Sequence, residues 1–539
     1  MTGTPLPPAD SCPLLAMIRP GGKPLPPLAY GGKAANLGRM VSLGIPVPPA
    51  FVLHTRLCQE YFTSGNRLPA AVPGLLRQGI AYLEQESGRG FGSPRRPLLI
   101  SVRSGAAVSM PGMMETVLNV GLNPDTLRGL IIMTGNPRFA WNTWCRFIVQ
   151  FARVVGGHDP GRYREVLGDL PAQGWHGPGS LDFARWKEVS GRCLALYTSL
   201  GGSPFPEDPV NQLEQAVEAV FRSWESSRAR AFRRMKPDIP MTGTAVTVQA
   251  MVFGNLGLRS GAGVAFTRDP STGEDRFLTD FMDGGQGEDV VAGDHSLDPA
   301  SSLDRLMPEV SAGLMKAGKL LEGEYRDMQD IEFTVEEGRL FLLQCRPGKR
   351  SPLAALRIAT DLVREGVLSP RDGLDLLTGV DLDGIRTQEI QGPGSPIARG
   401  TGASSGVVSG PIALDPMAKK EQDRPADAIL VRDQISPDDL PAIALTAGIL
   451  SAKGSRTSHA AVVARELGKV CVVSCPGLSI EEGRHRCRIG GRSFREGDVI
   501  SLDGSTGNVY EGPVRMVSHR PADLLEEVRA WREGQGASG

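Results

Sequence analysis

One stretch, Gly454-Ser455-Arg456-Thr457-Ser458-His459-Ala460-Ala461-Val462-Val463-Ala464-Arg465, sets a histidine at the mouth of a predicted helix. Thr457 and Ser458 carry short oxygens that can accept from the free N–H groups of a first helical turn. Ala461, Val462 and Leu467 give the segment an apolar face, and Gly468 offers a stop. A helix N-terminus presents unpaired donors and the positive end of the backbone dipole, so it suits an anion. A histidine there can attack a phosphoryl group and hold it as phosphohistidine. The imidazole needs no strong base, because its ordinary pKa near ~6.5 leaves it mostly unprotonated at cellular pH. On its own, such a histidine equally caps the helix or packs.

A second constellation lies between Met328 and Arg346. Asp330-Ile331-Glu332-Phe333 alternates polar and apolar, so as a strand it sends both carboxylates to one face. Phe341, Leu343 and Cys345 alternate with Leu342, Gln344 and Arg346. A two-residue loop at Glu337-Gly338 pairs Glu332 with Leu343 and turns Gln344 to the opposite face. A three-residue loop, Glu336 to Gly338, pairs Asp330 with Gln344 and Met328 with Arg346, so that acid, amide and guanidinium share a face. Gly338 also sits where a type I turn plus bulge wants a left-handed residue. The three-residue hairpin is therefore predicted, and a metal role requires Glu332 and Gln344 on one side of the sheet. Without further context the same pattern describes a half-exposed hairpin whose charges meet water.

Two cations follow similar cues. Lys33 comes after Gly31 and Gly32, which let the backbone approach a ligand closely, and Arg103 ends the predicted strand Leu98-Leu99-Ile100-Ser101-Val102.

These segments together resemble the pyruvate phosphate dikinase and phosphoenolpyruvate synthase families. The histidine stretch is similar to their phosphohistidine segment. Tyr30-Gly31-Gly32-Lys33-Ala34-Ala35-Asn36-Leu37, Ser101-Val102-Arg103-Ser104-Gly105, Ser109-Met110-Pro111-Gly112-Met113-Met114-Glu115-Thr116 and Asp330-Ile331-Glu332-Phe333 resemble dikinase ATP-site motifs, in the family's order. The Met-Pro-Gly-Met-Met run and Gln249-Ala250-Met251-Val252-Phe253-Gly254-Asn255 favour the dikinase branch. The resemblance runs from about residue 28 to the end of the chain.

The resemblance implies an α/β and α+β multidomain fold. An ATP-grasp nucleotide domain over 28–350, mostly helical at 124–235, leads through a helical linker at 351–390 to a β/β/α swivelling phosphohistidine domain at 391–515. It further implies Lys33 and Arg103 as catalytic phosphate ligands, Gly112 in a mobile loop over the phosphates, and Gln344 and Arg346 as nucleotide ligands. Asp330, Glu332 and Gln344 would hold magnesium. Glu288 and Asp289 match a family stretch beside the nucleotide, and equally suit a helix start. His459 is the implied carrier, taking the β-phosphoryl of ATP with release of AMP, while phosphate or water receives the γ-phosphoryl. Thr457 matches a position phosphorylated by regulatory proteins in some members. Arg456 and Arg465 either neutralise the phosphoryl group or are surface charges. A swinging carrier needs flexible connections, for which the Gly/Ser-rich stretch 391–410 and the tail are candidates.

Departures from the family pattern narrow the expectation. Full-length members continue into a phosphoenolpyruvate/pyruvate barrel, whereas this sequence ends in the linker helix that leads to it, over 516–539. A separate barrel protein is therefore the expected partner. Ala262 stands where the family has threonine in Ser-Gly-Thr-Gly, and Lys453-Gly454-Ser455-Arg456 replaces a common Arg-Gly-Gly-Met. Alternative functions are phosphotransfer to another small molecule, as in antibiotic-modifying relatives, and silent sensing of adenine nucleotides.

Composition bounds these readings. A chain of 539 residues holds several domains. Its formal net charge of −1 provides no global field for nucleic acid or acidic membrane. No apolar run approaches the roughly 18 residues of a membrane span. Residues 1–27 are Pro-rich, expected to be loose, and lack the apolar core of a signal peptide. The eight cysteines form no C-x-x-C pair, which suits buried thiols in a reduced cytoplasmic compartment. Self-association is left open.

Overall fold

The computed structural model describes residues 12–107, 114–167, 183–234, 243–292, 302–392, 394–415, 425–435, 439–456, 458–481 and 485–536. They form a mixed α/β protein of two compact units. The first comprises Met1–Ser260 with Val335–Cys345, the second Gly261–Thr334 with Arg346–Gly539. The chain passes to the second unit at Gly261 and returns briefly through one hairpin.

The first unit is built on a five-stranded antiparallel sheet, in the order Leu15–Ile18, Ala50–Leu53, Ala245–Ala250, Ile100–Gly105, Thr116–Val120. The central strands are buried along their length and read as apolar runs. Residues 15–18 belong to this sheet, Leu15 facing Leu53, so the expectation of a loose segment up to residue 27 does not hold there. Four residues flanked by prolines carry little periodic signal, and their partner strand lies far along the chain. Helices follow with legible start signals. Asn123 caps Pro124–Thr134 in a capping box with Thr126, and Asn136 caps Pro137–Val154 by accepting from Phe139 N. Helices Phe183–Gly201 and Pro209–Ser223 complete a large apolar core around Phe147, Phe151 and Phe221.

In the second unit, Gly261–Phe266 pairs antiparallel with Leu278–Asp283 and lies beside Gln329–Glu336. The linker helices Pro352–Arg364 and Pro370–Leu376 pack against Ala522–Gly536 through Leu356, Leu525 and Val528, with Trp531 alongside.

The remainder is a three-layered module. Its eight-stranded sheet has a parallel centre, Val407–Ala413, Ile429–Arg432, Gly448–Ser451 and Val470–Val473. Ile429, Val431, Leu450 and Val472 face one layer, formed by the small sheet Leu478–Glu481, Arg486–Ile489 and Arg492–Arg495. Leu430, Ile449, Cys471 and Val473 face the other, where Ala461 and Ala464 of helix His459–Glu466 pack. Burial on both faces explains the unbroken apolar runs.

The stretch 391–410 is not a free linker. It contributes Ala398–Arg399, Thr401–Ser404 and the start of Val407–Ala413 to the eight-stranded sheet. The chain enters and leaves this module through a two-stranded ribbon instead, Thr387–Ile390 against Met516–His519. No described helix is long and apolar enough to cross a membrane.

Candidate functional site

Lys33 lies in helix Pro27–Ser42, which is interrupted at Gly31 (φ 77°). A Cβ at Gly31 would stand 2.2 Å from the carbonyl oxygen of Gly105, so only glycine fits this approach of helix to strand. Gly32 N donates to Ala106 O at 2.9 Å, which fixes Lys33 beside the end of strand Ile100–Gly105. Arg103 lies inside that strand rather than at its end, opposite Thr247 and Thr116. Both cations therefore belong to one corner of the first unit. Gly112 and the rest of 108–113 lie outside the described residues.

The hairpin differs from expectation. Its strands run to Glu336 and resume at Arg339, leaving a two-residue turn. Glu337 (φ 49°) and Gly338 (φ 80°) both have positive φ, the requirement of a type I′ turn, whose twist matches that of the strands better than a looser loop. Counted from this turn, Met328 would face Pro347. Gly348 N instead donates to Met328 O at 3.1 Å, so the second strand holds one residue more than the first. A two-residue turn alone would turn Gln344 away from Glu332. The additional residue reverses that parity for everything beyond it, and Arg346 shares the side of Asp330. Gln344 is buried in the part of the hairpin that belongs to the first unit.

Asp330, Glu332 and Arg346 come together in the second unit. Arg346 Nε donates to Asp330 Oδ2 at 2.9 Å, and Arg346 Nη2 lies 3.9 Å from Glu332 Oε1. Asp330 is 5% exposed, and its Oδ1 has no hydrogen-bond partner. Burial pushes its carboxyl above the ordinary range against the pull of Arg346, and the Glu332 charge adds to the rise. Burial would make Arg346 less basic, but the Asp330 and Glu332 charges hold its guanidinium above its usual value. No group of three or more candidate metal-ligating side chains occurs among the described residues. Two adjacent carboxylates with one open oxygen suit magnesium, which takes its other ligands from phosphates and water rather than from a protein cage.

Asp289 accepts from Gln286 N at 2.9 Å and so closes the start of its own helix, Gly287–Ala292. The side chain of Glu288 lies outside what is described. Ala262 is buried against Val264 and Val290, in an apolar contact that a threonine hydroxyl would disrupt.

His459 is the first residue of helix His459–Glu466. Its side chain, like all of Thr457, lies outside the described structure. Ser458 occupies the N-cap position but makes no capping bond, contrary to expectation; its Oγ is buried without a partner. Arg456 Nε donates to Gly402 O at 3.1 Å. Arg465, left open as a surface charge, is fully buried, with Nη1 donating to Ala403 O at 2.8 Å and to Arg456 O at 2.9 Å. Both arginines thus tie the loop before His459 to strand Thr401–Ser404. Sequence patterning missed this, because an arginine near a helix end reads as a solvent-facing charge; its neighbours Ala461 and Ala464 were the available hint of burial. Ser271, in the turn after Asp269-Pro270, was also missed: its Oγ donates to Ala403 O and its carbonyl accepts from Ser405 Oγ, both at 3.1 Å.

Residues 68–306 and 302–366 match the family described as pyruvate phosphate dikinase, AMP/ATP-binding domain. Residues 424–507 match the mobile domain of PEP-utilising enzymes. Pyruvate, phosphate dikinase 1, chloroplastic, of Zea mays is 43% identical over 509 residues, covering 93% of this chain and 53% of that protein. The pyruvate, phosphate dikinase of Clostridium symbiosum is 41% identical over 517 residues, covering 93% and 58%. The chain spans about half the length of these relatives. With a nucleotide-binding match over more than half its length and the mobile domain behind it, the chain belongs to the pyruvate phosphate dikinase family.

Proposed function

We propose that this chain is the nucleotide and phosphocarrier half of a dikinase. It takes ATP on an ATP-grasp scaffold, receives the β-phosphoryl on His459 and releases AMP, with phosphate or water accepting the γ-phosphoryl. The observation that carries this reading is the buried Asp330 Oδ1 without a partner, beside Glu332 and Arg346. Arg346 answers only Oδ2, and a buried acceptor oxygen is costly to leave without a partner.

Asp330 and Glu332, with Gln344, would hold magnesium, which when bound supplies positive charge to the phosphate oxygens. Lys33 and Arg103 would fix the phosphates, and Arg346 would hold the Asp330 carboxylate in place. Neutral His459 then supplies the lone pair; the new N–P bond forms as the bond from the β-phosphorus to the α-side bridging oxygen breaks, AMP leaves with that oxygen, and the imidazole N–H gives its proton to solvent. Phosphate or water attacks the γ-phosphorus, whose bond to the β,γ-bridging oxygen breaks and leaves that oxygen on the β-phosphoryl group. The start of helix His459–Glu466 favours the added negative charge.

Conversion between pyruvate and phosphoenolpyruvate would fall to a separate barrel protein. Other small-molecule acceptors are the competing destination, and silent nucleotide sensing is a further one. Isotope exchange between AMP and ATP tests the reading. Exchange that requires His459 and is lost in Asp330→Asn supports it. Tight ATP binding with no exchange in the intact chain would leave only a sensor.

A further inference from the structure

Arg465 has an unusual environment for a charged side chain. It is fully buried, and only Nη1 is engaged, by the carbonyls of Ala403 and Arg456. Nε and Nη2 have no hydrogen-bond partner. The Phe266 ring lies 5.6 Å from Cζ. The carboxylates of Asp330, Asp280 and Asp269 all act on its charge. Phe266 and these acids belong to the part of the second unit that precedes the linker helices, whereas Arg465 is carried by helix His459–Glu466. The guanidinium is therefore enclosed by the approach of the carrier to the sheet that bears Asp330.

A buried guanidinium with two idle donors is unfavourable unless an acceptor meets them, and a charged acceptor meets them best. Asp330 Oδ1, an acceptor with no donor, lies in the field of the same arginine. One kind of group satisfies both requirements at once: a phosphate bearing a divalent cation. The cation answers Oδ1, and a phosphate oxygen accepts from the planar edge formed by Nε and Nη2.

We propose that Arg465 is a phosphate-binding residue of the nucleotide site, supplied by the carrier helix when the carrier rests against the Asp330 sheet. The inference rests on the function proposed above and adds to it a ligand from the moving partner. The nucleotide then helps to hold the carrier in, and departure of the carrier removes one cation from the phosphates. Affinity and docking are coupled, each strengthening the other.

The test uses the full chain with His459→Ala, so that no turnover occurs, and measures binding of magnesium ATP and of adenosine by calorimetry. Arg465→Gln should weaken magnesium ATP by about ten- to a hundredfold and leave adenosine unchanged, because adenosine has no phosphate. Arg465→Lys should lose part of that affinity, since a point charge cannot present the same edge. In chains that keep His459, phosphoramidate should still label Arg465→Gln on His459, showing a folded carrier. Equal magnesium ATP affinity in parent and Arg465→Gln overturns the proposal, as does a parallel loss of adenosine binding, which marks a structural role. Should Arg465→Gln not fold, Arg465→Lys decides: parental affinity for magnesium ATP refutes the assignment. Failure of the parent itself to bind magnesium ATP sinks the functional reading, and this inference with it.

Discussion

Arg268 and Arg465 are both shut away from solvent in the second unit, yet their surroundings differ in kind. Arg268 Nε and Nη2 donate to Glu322 Oε1 at 3.1 and 2.9 Å, Nη2 also reaches Glu365 Oε2 at 2.6 Å, and Thr267 Oγ1 donates to Glu322 Oε2 at 2.6 Å. Burial alone would lower its pKa, but the Glu322 and Glu365 carboxylates raise it above the usual value. Arg465 donates only to backbone carbonyls, and burial leaves it less basic than usual. One cluster meets carboxylates through Nε and Nη2, leaves only Nη1 without a partner, and joins strand, helix and linker. The other has two buried donor atoms without partners and lies in the field of an acid whose Oδ1 has none either. Burial of a charge thus does not distinguish structure from function; the partner inventory does.

The sharpest way to break this contrast is to remove each cation. Arg268→Met leaves Glu322 buried and unpaired, and should destabilise the chain by about 3–5 kcal/mol in urea unfolding. Arg465→Met removes a charge whose partners are incomplete but takes a donor from the Ala403 and Arg456 carbonyls, and should cost about 1–2 kcal/mol in the nucleotide-free chain, less than Arg268→Met. Comparable losses in the two variants would erase the distinction.

The acids offer a second comparison. Glu322→Gln should cost about 1–3 kcal/mol through its weakened bonds to Arg268 and leave nucleotide affinity intact. Asp330→Asn should do the reverse, abolishing magnesium-dependent ATP binding with little effect on folding. The pH dependence carries the sign. The folded-state pKa of Asp330 is raised, so between its unfolded and folded values the native state binds more protons. Its ionisation therefore costs stability as pH rises past the ordinary carboxylate range, and Asp330→Asn should flatten that limb of the stability profile. The smallest effect is expected at Asp372, which is half-buried. The Ser369 hydroxyl and backbone N–H and the Arg326 guanidinium hold its pKa down to about 2. Its contribution is present above the usual carboxylate pKa and lost as pH falls towards 2, so Asp372→Asn should blunt the acid limb only.

The carrier was the most legible part of the molecule. Val470-Cys471-Val472-Val473 and Ile429-Leu430-Val431 are apolar at every position because both faces of a parallel strand are covered. Helix starts such as Ser369-Pro370 with Asp372 are also local, since the cap and its partner lie three residues apart. The hairpin was legible as a hairpin but not in its register. The turn is set by the positive φ values of two residues, and the extra residue by pairing further down, which no local pattern records. The strand at 15–18 and the burial of Arg465 depend on partners distant in sequence, Leu53 and Phe266 among them. The acids at 330 and 332 were legible as a same-face pair, because strand alternation is fixed by the backbone. Their arginine was legible as a residue, and its place opposite Asp330 only through the extra residue.

The most direct measurement follows the phosphoryl group itself. The intact chain is incubated with magnesium and ATP labelled at the β-phosphorus, and the protein-bound label is mapped by peptide. Acid-labile, base-stable label on the peptide bearing His459, formed together with AMP and absent from His459→Ala, is the predicted result. Label that survives in His459→Ala, or that arises from γ-labelled ATP with ADP as the product, would contradict a carrier histidine fed from the β-position.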